Sequence, residues 1–288
     1  MKAMMLINPN AGLLKGCRTA AEVKEQLTGL KFDPEITIAK SDRGIQSFIT
    51  KVKRHKPNVV LIAGGDGTIS TILKGLQRES VTFGLIPTGS MNNIGQSIGL
   101  GDELHEAVEV INQGHSEKMD LGLVGNTVFI ESVGFGLVAE IMSRVGEQDS
   151  KKEVMKVVRH TLSEVIVTDT HRVHIKADDR ELDIETIWLT ITNTGRAAAA
   201  LVDPTSNVHD HLLEVVYCEP IDNSELARYT MAFVRNSHIR EEKFHRLRAR
   251  KIEISFSKPT QVHIDGELTE RKQLTVSIIP AAIQVFTP

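Results

Sequence analysis

Cysteine is scarce in this chain of 288 residues, which contains only Cys17 and Cys218. Metal-binding and redox cysteines occur in close pairs, and these two lie far apart, so their spacing matches neither kind of site. Isolated cysteines of this sort are typical of reduced thiols. We therefore expect a cytoplasmic protein.

Positive charge is also limited, because 34 lysines and arginines face 37 aspartates and glutamates, a formal net charge of −3. Nucleic acids attract a basic surface, so we expect no nucleic-acid partner outside a local patch. The candidate patch, His238 to Lys251, holds two glutamates and a single aromatic residue. We interpret it as a solvated face, with membrane-surface contact as the alternative.

Long apolar runs are missing as well. No stretch approaches the length of a transmembrane helix, and the amino-terminal M-K-A-M-M-L-I-N-P is too short for the apolar segment of a signal peptide. We expect a cytoplasmic chain that contacts a membrane only peripherally, at its inner face.

The stretch from Val59 to Thr71, V-V-L-I-A-G-G-D-G-T-I-S-T, gives the strongest functional signal. Its first five residues are apolar and rich in β-branched side chains, which is typical of a strand buried on both faces. Gly64, Gly65 and Gly67 follow, and Ile69 to Gln77 has apolar positions at helical spacing. This order predicts an anion site, because backbone N–H groups and the positive end of the helix dipole would face a phosphate.

Two side chains of this turn refine the prediction. The Thr68 hydroxyl is a further donor to a phosphate, whereas the Asp66 carboxylate would repel one unless a divalent metal lay between them. Asp66 therefore suggests Mg²⁺ bound with a nucleotide. The structural alternative is a glycine-rich turn that only joins a strand to a helix.

Strands and helices alternate through the first 120 residues. Strands are predicted at Met4–Ile7, Glu35–Ala39, Val59–Ala63 and Val81–Ile86, and helices at Arg18–Leu30, Gly44–Arg54, Ile69–Gln77 and Glu103–Asn112. The alternation predicts a doubly wound α/β nucleotide-binding domain with a parallel sheet. The loops N-P-N-A-G, G-G-D-G-T and P-T-G-S-M-N-N each follow a strand, so they would meet at one edge of that sheet.

Short strands dominate after Asp120. They are predicted at Met119–Val124, Thr127–Val133, Arg172–Lys176, Thr186–Thr192, Leu212–Val216, Lys251–Phe256, Gln261–Ile264, Leu274–Ile279 and Ile283–Phe286, with helices at Gly134–Arg144, Val154–Val167 and Ser224–Arg235. This pattern predicts a mainly antiparallel β-sandwich. We place an ATP-binding domain at residues 1–120 and the β-sandwich domain at residues 121–288, whose last strand is allowed to return to the first domain.

Near the end of the chain, an apolar strand runs into Asp265-Gly266, a dipeptide favoured in tight hairpin turns, and Glu267 follows directly. A structural explanation is sufficient by itself, with Asp265 and Gly266 forming a turn and Glu267 lying on a solvated flank.

Five motifs together resemble the diacylglycerol kinase catalytic-domain family of bacterial lipid kinases and sphingosine kinases. They are N-P-N-A-G at 8–12, G-G-D-G-T at 64–68, P-T-G-S-M-N-N at 87–93, K-M-D-L-G-L-V at 118–124 and I-D-G-E at 264–267. G-G-D-G-T alone also occurs in NAD kinases and phosphofructokinase relatives, so its pairing with the late D-G-E is the most specific element. The resemblance implies an active site in a cleft between an ATP-binding domain and a β-sandwich.

Carried over residue by residue, the resemblance implies a role for each matching position. ATP would be held by Asn8, Pro9, Asn10, Ala11, Gly12, Gly64, Gly65, Asp66, Gly67, Thr68, Ser90 and Asn93. Asp66 and Asp120 would surround Mg²⁺, and Glu267, helped by Asp265, would take the proton from a lipid hydroxyl. A structural metal on the second domain would fall on Asp210 and the carbonyls of Asn207 and Leu212.

The chain departs from the family at several of these positions. Ser90 replaces the usual Thr and keeps the hydroxyl, whereas Asn93 replaces a frequent Asp and loses a charge that would lie around Mg²⁺. Such a loss predicts affinity or activity lower by about 10- to 100-fold. His211 replaces the Gly of a usual Asp-Gly, and the alanines at 197–200 replace most of a glycine cluster near Gly195.

The leading hypothesis is an ATP- and Mg²⁺-dependent kinase that transfers the γ-phosphoryl group to a diacylglycerol-like lipid at a membrane surface. One alternative is an NAD kinase-like phosphotransferase, although neither an L-G-F-L loop nor an N-E pair is found. The other is a non-catalytic protein of the same fold that binds lipid or nucleotide. A homodimer is compatible with the sequence.

Overall fold

The computed structural model describes residues 2–9, 21–22, 25, 27–101, 103–145, 153, 156–157, 160, 170–197, 200–201, 205–222, 224–225 and 243–288. The chain divides into two compact units. The first unit contains Met1–Leu121 together with Pro280–Pro288, and the second contains Gly122–Ile279.

The first unit is built on a parallel sheet. Its strands are β1 (Ala3–Ile7), β2 (Glu35–Ile38), β3 (Val59–Gly64) and β4 (Thr82–Pro87), in the order β4-β3-β1-β2. All residues of β1 and β3 are buried, as expected for strands covered on both faces. The end of β16 (Glu267–Phe286) extends the sheet, since Gln284 and Val285 pair in parallel with β4.

Four helices of the first unit lie wholly within the described residues: α1 (Asp42–His55), α2 (Asp66–Leu76), α3 (Asn93–Ser97) and α4 (Leu104–Gln113). Helix α1 shows why these segments fold as they do. The Ser41 side chain accepts from the backbone N–H of Gly44 at its start, and basic residues occupy its last turn, where the helix dipole favours them. Its buried residues recur at helical spacing and face the core.

The second unit is dominated by antiparallel strands. They are β6 (Thr127–Phe129), β7 (Ser132–Gly136), β8 (His171–Ala177), β9 (Arg180–Thr186), β10 (Trp188–Thr192), β13 (Leu213–Cys218), β14 (Phe244–Ala249) and β15 (Lys251–Ile264), and β16 begins here. Their main order is β14-β13-β10-β7-β15-β16. A separate small hairpin joins β11 (Arg196–Ala197) to β12 (Ala200–Leu201), and α5 spans Leu137–Val145. Strand β5 (Ser116–Val124) pairs with both β6 and β16.

The two faces of the second unit's sheet differ. One face carries the apolar core, in which the rings of Phe135 and Phe256 meet edge to face with centroids 4.9 Å apart. The opposite face is polar but still buried, and it presents Ser132, Thr190, Thr192, Glu214 and His263. Because buried polar groups must find partners, this second face is where hydrogen-bond networks are expected.

The structure confirms the predicted fold class, an α/β domain followed by a mainly antiparallel β domain. Several elements differ from prediction. Gly134–Gly136 is the end of β7 rather than the start of a helix, because these residues pair with β10, and α5 begins at Leu137. Strands β9 and β14 were not expected, and the basic stretch interpreted as a solvated face contains β14.

Two predicted breaks are also wrong. The pairs of strands expected in 251–264 and 274–286 are each one strand, with a register shift between Ser255 and Thr260 inside β15. Conversely, the strand expected over Thr127–Val133 is interrupted between β6 and β7. In the helix predicted at Arg18–Leu30, the described residues 21, 22 and 25 are helical, whereas 27–29 form a turn, so the helix does not extend to Leu30. The helices predicted at Val154–Val167 and Ser224–Arg235 lie largely outside the described residues.

Within the described part of the chain, no helix is both long and apolar enough to cross a membrane.

Candidate active site

The junction of β3 and α2 has the predicted order of strand, glycine and helix. Gly65 is the N-cap residue of α2, and Ile69 donates its backbone N–H to the Gly65 carbonyl at 3.0 Å. The helix begins at Asp66 rather than at Ile69, so Asp66, Gly67 and Thr68 form its first turn. The first N–H groups of a helix have no partners within it, and they attract anions.

The loop after β4 lies directly against this junction. A Cβ atom on Gly65 would lie 3.2 Å from the Cα of Gly89, and one on Gly89 would lie 2.6 Å from the Cα of Gly65. The Thr88 N–H also donates to the Gly64 carbonyl at 3.0 Å. The two strand-end loops are therefore in contact through their backbones.

Asp66 links the loop after β3 to the loop after β4 by hydrogen bonds. Its Oδ2 accepts from the backbone N–H of Asn93 at 3.1 Å, and its Oδ1 accepts from that of Ile94 at 3.0 Å. Both donors belong to the first turn of α3, where a negative charge is favoured. Asn92, the N-cap residue of α3, has φ of 55°, and its Oδ1 accepts from the Gly89 N–H at 2.8 Å.

Asn8 brings the loop after β1 to the same place. Its Nδ2 donates to the Thr68 Oγ1 at 2.9 Å, and its backbone N–H donates to the Ala63 carbonyl at 2.9 Å. Thr68 accepts in this contact, so its own hydroxyl proton is available to a ligand. Pro9 follows and is buried, whereas Asn10, Ala11 and Gly12 lie outside the described residues. The structure thus brings together the described parts of all three predicted loops.

The predicted Mg²⁺ carboxylates occupy different settings. Asp66 holds α3, while Asp120 is fully buried on β5 and accepts from the Ala281 N–H at 2.7 Å. Among the described residues, no three acidic, histidine or cysteine side chains cluster closely enough to hold a metal. Mg²⁺ is commonly bound through one or two carboxylates plus substrate phosphates and water, so Asp66 and Asp120 fit the ion in chemistry when a nucleotide supplies the remaining oxygens.

In the second unit, Asp265 and Gly266 form the predicted two-residue hairpin turn. Both residues have positive φ, 47° and 86°, and Ile264 pairs with Glu267 across the turn. Glu267 is exposed at the first position of β16. Its carboxylate therefore projects from a turn whose backbone is narrowly defined.

Asp265 has a different role from its neighbour. Its carboxylate accepts from the backbone N–H groups of Ile130, Glu131 and Ser132 at 2.8, 2.9 and 3.1 Å, and its own N–H donates to the Ser132 carbonyl at 2.8 Å. These donors face Asp265 instead of a neighbouring strand, which explains the break between β6 and β7. Three bonds to a carboxylate make a strong anchor for the turn.

Sequence reasoning did not select three residues of these sites. Gly89 and Asn92 lie in P-T-G-S-M-N-N, and the glycine itself was the signal of a close backbone approach. His263, two residues before Asp265, is fully buried, and burial lowers its pKa to about 4 although the Asp265 charge acts in the opposite direction. Its position in an otherwise apolar strand gave no clear signal.

The loop predicted to hold a structural metal, Asn207 to Leu212, uses its polar groups in contacts within the protein. Asn207 Oδ1 accepts from the His209 N–H at 3.0 Å, and Asp210 Oδ1 accepts from the Leu212 N–H at 3.0 Å. Asp210 Oδ2 lies 3.7 Å from Nη1 of Arg248, a fixed positive charge. A metal ion on Asp210 would be repelled by that guanidinium, so these residues do not fit a structural metal.

Two family models match the chain. One, described as the diacylglycerol kinase catalytic domain, matches residues 2–124, and the other, described as the YegS C-terminal NAD kinase beta sandwich-like domain, matches residues 131–287. The second model alone covers more than half of the chain.

Individual proteins agree with these models. A diacylglycerol kinase of Staphylococcus saprophyticus subsp. saprophyticus is 24% identical over 298 residues, which cover 100% of this chain and 95% of that protein. A solved structure from Bacillus anthracis str. Sterne has a TM-score of 0.81 at 18% identity, covering 100% of this chain and 97% of the other. Another from the same organism, a diacylglycerol kinase, has a TM-score of 0.77 at 16% identity with the same coverage.

Proposed function

The chain belongs to the diacylglycerol kinase catalytic-domain family, and on that basis we propose that it transfers the γ-phosphoryl group of ATP to the hydroxyl of a diacylglycerol-like lipid. One observation carries the proposal: three strand-end loops of the first unit meet at the first turn of α2, joined by the contacts of Asn8 with Thr68 and of Asp66 with Asn93 and Ile94. Such a convergence of glycine-bearing loops on a helix N-terminus suits a phosphate chain.

The first unit would bind ATP through its backbone. The first-turn N–H groups of α2 and the Thr68 hydroxyl would donate to phosphate oxygens, and Gly64, Gly65 and Ser90 would line the same loops. Asp66 and Asp120 are the carboxylates that would hold Mg²⁺, which when bound offsets the negative charge of the phosphates. Asp66 would also contribute to ATP binding indirectly, because its hydrogen bonds to α3 hold the two loops in their relative positions.

The second unit would supply the general base. Phosphoryl transfer needs positioning and a carboxylate that accepts the proton of the attacking hydroxyl, and we assign this role to Glu267. Asp265 would act as a positioning residue, since its carboxylate is committed to the backbone of residues 130–132. The lipid partner implies that the protein works at a membrane surface through peripheral contact.

The test is a transfer assay with purified protein, radiolabelled ATP and Mg²⁺, in which lipid extract, diacylglycerol vesicles and NAD are offered separately. Label in the lipid fraction supports the proposal, and label in NAD would support the NAD kinase alternative instead. Glu267→Gln should abolish transfer while ATP binding and the thermal midpoint persist. Glu270→Gln, an exposed glutamate on the same strand, is the matched control and should transfer normally.

The non-catalytic alternative has its own discriminating variant. Asn93 is buried beside the Asp66 carboxylate that its N–H contacts, so an aspartate there would add a second negative charge that a cation must balance. A wild type without transfer that still binds ATP, together with a large gain of activity in Asn93→Asp, would indicate a decayed kinase. Robust wild-type transfer would eliminate that alternative.

A further inference from the structure

Arg248 lies at the centre of a polar network in the second unit. Its strand, β14, pairs with β13 so that Arg248 stands opposite Glu214, and paired residues of neighbouring strands project from the same face. Arg248 Nε lies 3.4 Å from Glu214 Oε1, and Nη1 lies 3.7 Å from Asp210 Oδ2. Nη2 donates to the Thr205 carbonyl at 2.5 Å and to its hydroxyl at 2.9 Å.

The guanidinium therefore faces the kind of ligand set that a hard metal ion takes. Two carboxylates, a carbonyl and a hydroxyl surround it, and all four supply oxygen atoms. Glu214 makes a positive charge necessary at this place, because its side chain is only 1% exposed and a buried carboxylate needs a cationic partner.

The network continues from Glu214 towards the Asp265 turn. The Ser206 hydroxyl donates to Glu214 Oε2 at 2.7 Å and lies 3.2 Å from the Asn193 carbonyl oxygen. Asn193 is fully buried and donates through its N–H to the Glu131 carbonyl at 2.9 Å and through Nδ2 to the Ile130 carbonyl at 3.2 Å.

The segment reached in this way is the one that anchors the turn. The carbonyl groups of Ile130 and Glu131 accept from Asn193, and the N–H groups of residues 130–132 donate to the carboxylate of Asp265. Loss of the charge at Arg248 would thus loosen the backbone turn that positions Glu267, two residues beyond Asp265. The effect would pass through Glu214, Ser206 and Asn193.

We propose that Arg248 replaces the structural metal of the second unit, so that this unit needs no bound cation, and that Arg248 is a positioning residue for the turn that carries Glu267. The replacement of the metal is inferred from the contacts of Arg248 alone. The positioning role rests on the proposed function only in its effect on catalysis.

The first experiment follows the fluorescence of Trp188, the single tryptophan, which lies on β10 of the second unit. Thermal unfolding of nucleotide-free wild type is recorded in EDTA, in Mg²⁺ and in Ca²⁺, and the midpoint is expected to be the same in all three. A cation-dependent rise that Asp210→Asn abolishes would overturn the proposal. A rise that survives Asp210→Asn originates outside this loop. It agrees with the proposal if Asp66→Asn, in the first unit, removes it, and it overturns the proposal if it persists in that variant.

The second experiment compares Arg248→Ala with Arg246→Ala. Both arginines are exposed on β14, but Arg246 stands opposite Val216 and Arg248 opposite Glu214. Arg248→Ala should lower the midpoint by about 5 °C, and amide hydrogen exchange should accelerate at residues 130–132 more than in β8. Arg246→Ala should change neither. Equal effects of the two variants would overturn the proposal, and Arg248→Lys takes the place of Arg248→Ala if the latter does not fold.

Kinetics then separate positioning from general destabilisation. Well below the midpoint, Arg248→Ala should reduce kcat for lipid phosphorylation roughly tenfold with an unchanged KM for ATP, because a displaced base costs rate rather than nucleotide affinity. Arg248→Lys should recover part of the loss. An unchanged kcat would show that Arg248 does not position Glu267 for catalysis. A wild type that phosphorylates no lipid would refute the proposed function instead, and the exchange result would then decide the role of Arg248.

Discussion

Gly65 and Gly89 lie backbone to backbone, so that a Cβ atom on Gly89 would approach the Cα of Gly65 to 2.6 Å. We predict that Gly89→Ala lowers the free energy of unfolding by about 1–3 kcal/mol, because the obstructing atom belongs to the backbone and moves only with its loop. ATP affinity should fall as well, since the two loops separate. Urea unfolding and titration calorimetry measure the two effects, and an unchanged stability would show that the loops do not touch as described.

Gly67 provides the opposite case in the same motif. Gly67 is exposed in the first turn of α2. Apart from its chain neighbours and the backbone of its own helix, no atom of the described residues lies within 4 Å of a Cβ placed there. Gly67→Ala should stabilise the helix by about 0.5–1 kcal/mol. A helical Cβ points towards the N-terminus, where the phosphates are expected, so ATP should nevertheless bind more weakly. Unchanged ATP affinity would favour a turn with only a structural role.

Asp66 should stabilise the protein even without nucleotide or metal. Its two carboxylate oxygens accept from the N–H groups of Asn93 and Ile94, and an asparagine offers only one oxygen for two donors. We predict that Asp66→Asn costs about 1–3 kcal/mol in urea unfolding carried out in EDTA. Asp42→Asn, an exposed acidic residue in the first turn of α1, is the control. If Asp66→Asn matters only when Mg²⁺ and ATP are present, its bonds to α3 contribute nothing measurable.

Local signals in the sequence were sufficient for the parts of the fold that depend on neighbouring residues. The buried run before Gly64 predicted β3, and Asp265-Gly266 predicted its hairpin turn, because each depends on side chains and backbone conformations within a few positions. The approach of Gly89 to Gly65 was implied only by the presence of glycine, since the partner lies in another loop.

Features set by distant partners were not predictable in this way. Gly134 and Gly136 have little intrinsic preference for a strand, and they belong to β7 because they pair with β10. Likewise, the charged residues of β14 predicted a solvated face. In the structure, Arg248 lies beside the buried carboxylate of Glu214, which is distant in sequence. The break before β7 depends on Asp265, far along the chain, whose carboxylate takes the N–H groups of residues 130–132.

Cys218 should be unreactive in the folded protein. It is fully buried at the end of β13, and burial raises the pKa of its thiol to about 12. At pH 8 the reactive thiolate is therefore rare, and iodoacetamide should leave Cys218 unmodified while it labels the same residue readily in urea. Mass spectrometry of the peptide that contains Cys218 measures this separately from Cys17. Labelling at the same rate with and without urea would contradict the buried position.

His263 should make the second unit sensitive to acid. Burial lowers the pKa of its side chain from 6.5 to about 4. Between these pH values His263 is protonated in the unfolded chain but neutral in the folded protein, so acid favours unfolding. The stability present above pH 6.5 should decline as the pH falls towards 4, by roughly 3 kcal/mol in total. Urea unfolding monitored by Trp188 fluorescence between pH 4.5 and 7.5 should show this slope in the wild type and a shallower one in His263→Gln. Parallel slopes in wild type and His263→Gln would mean that another group governs the loss of stability in acid.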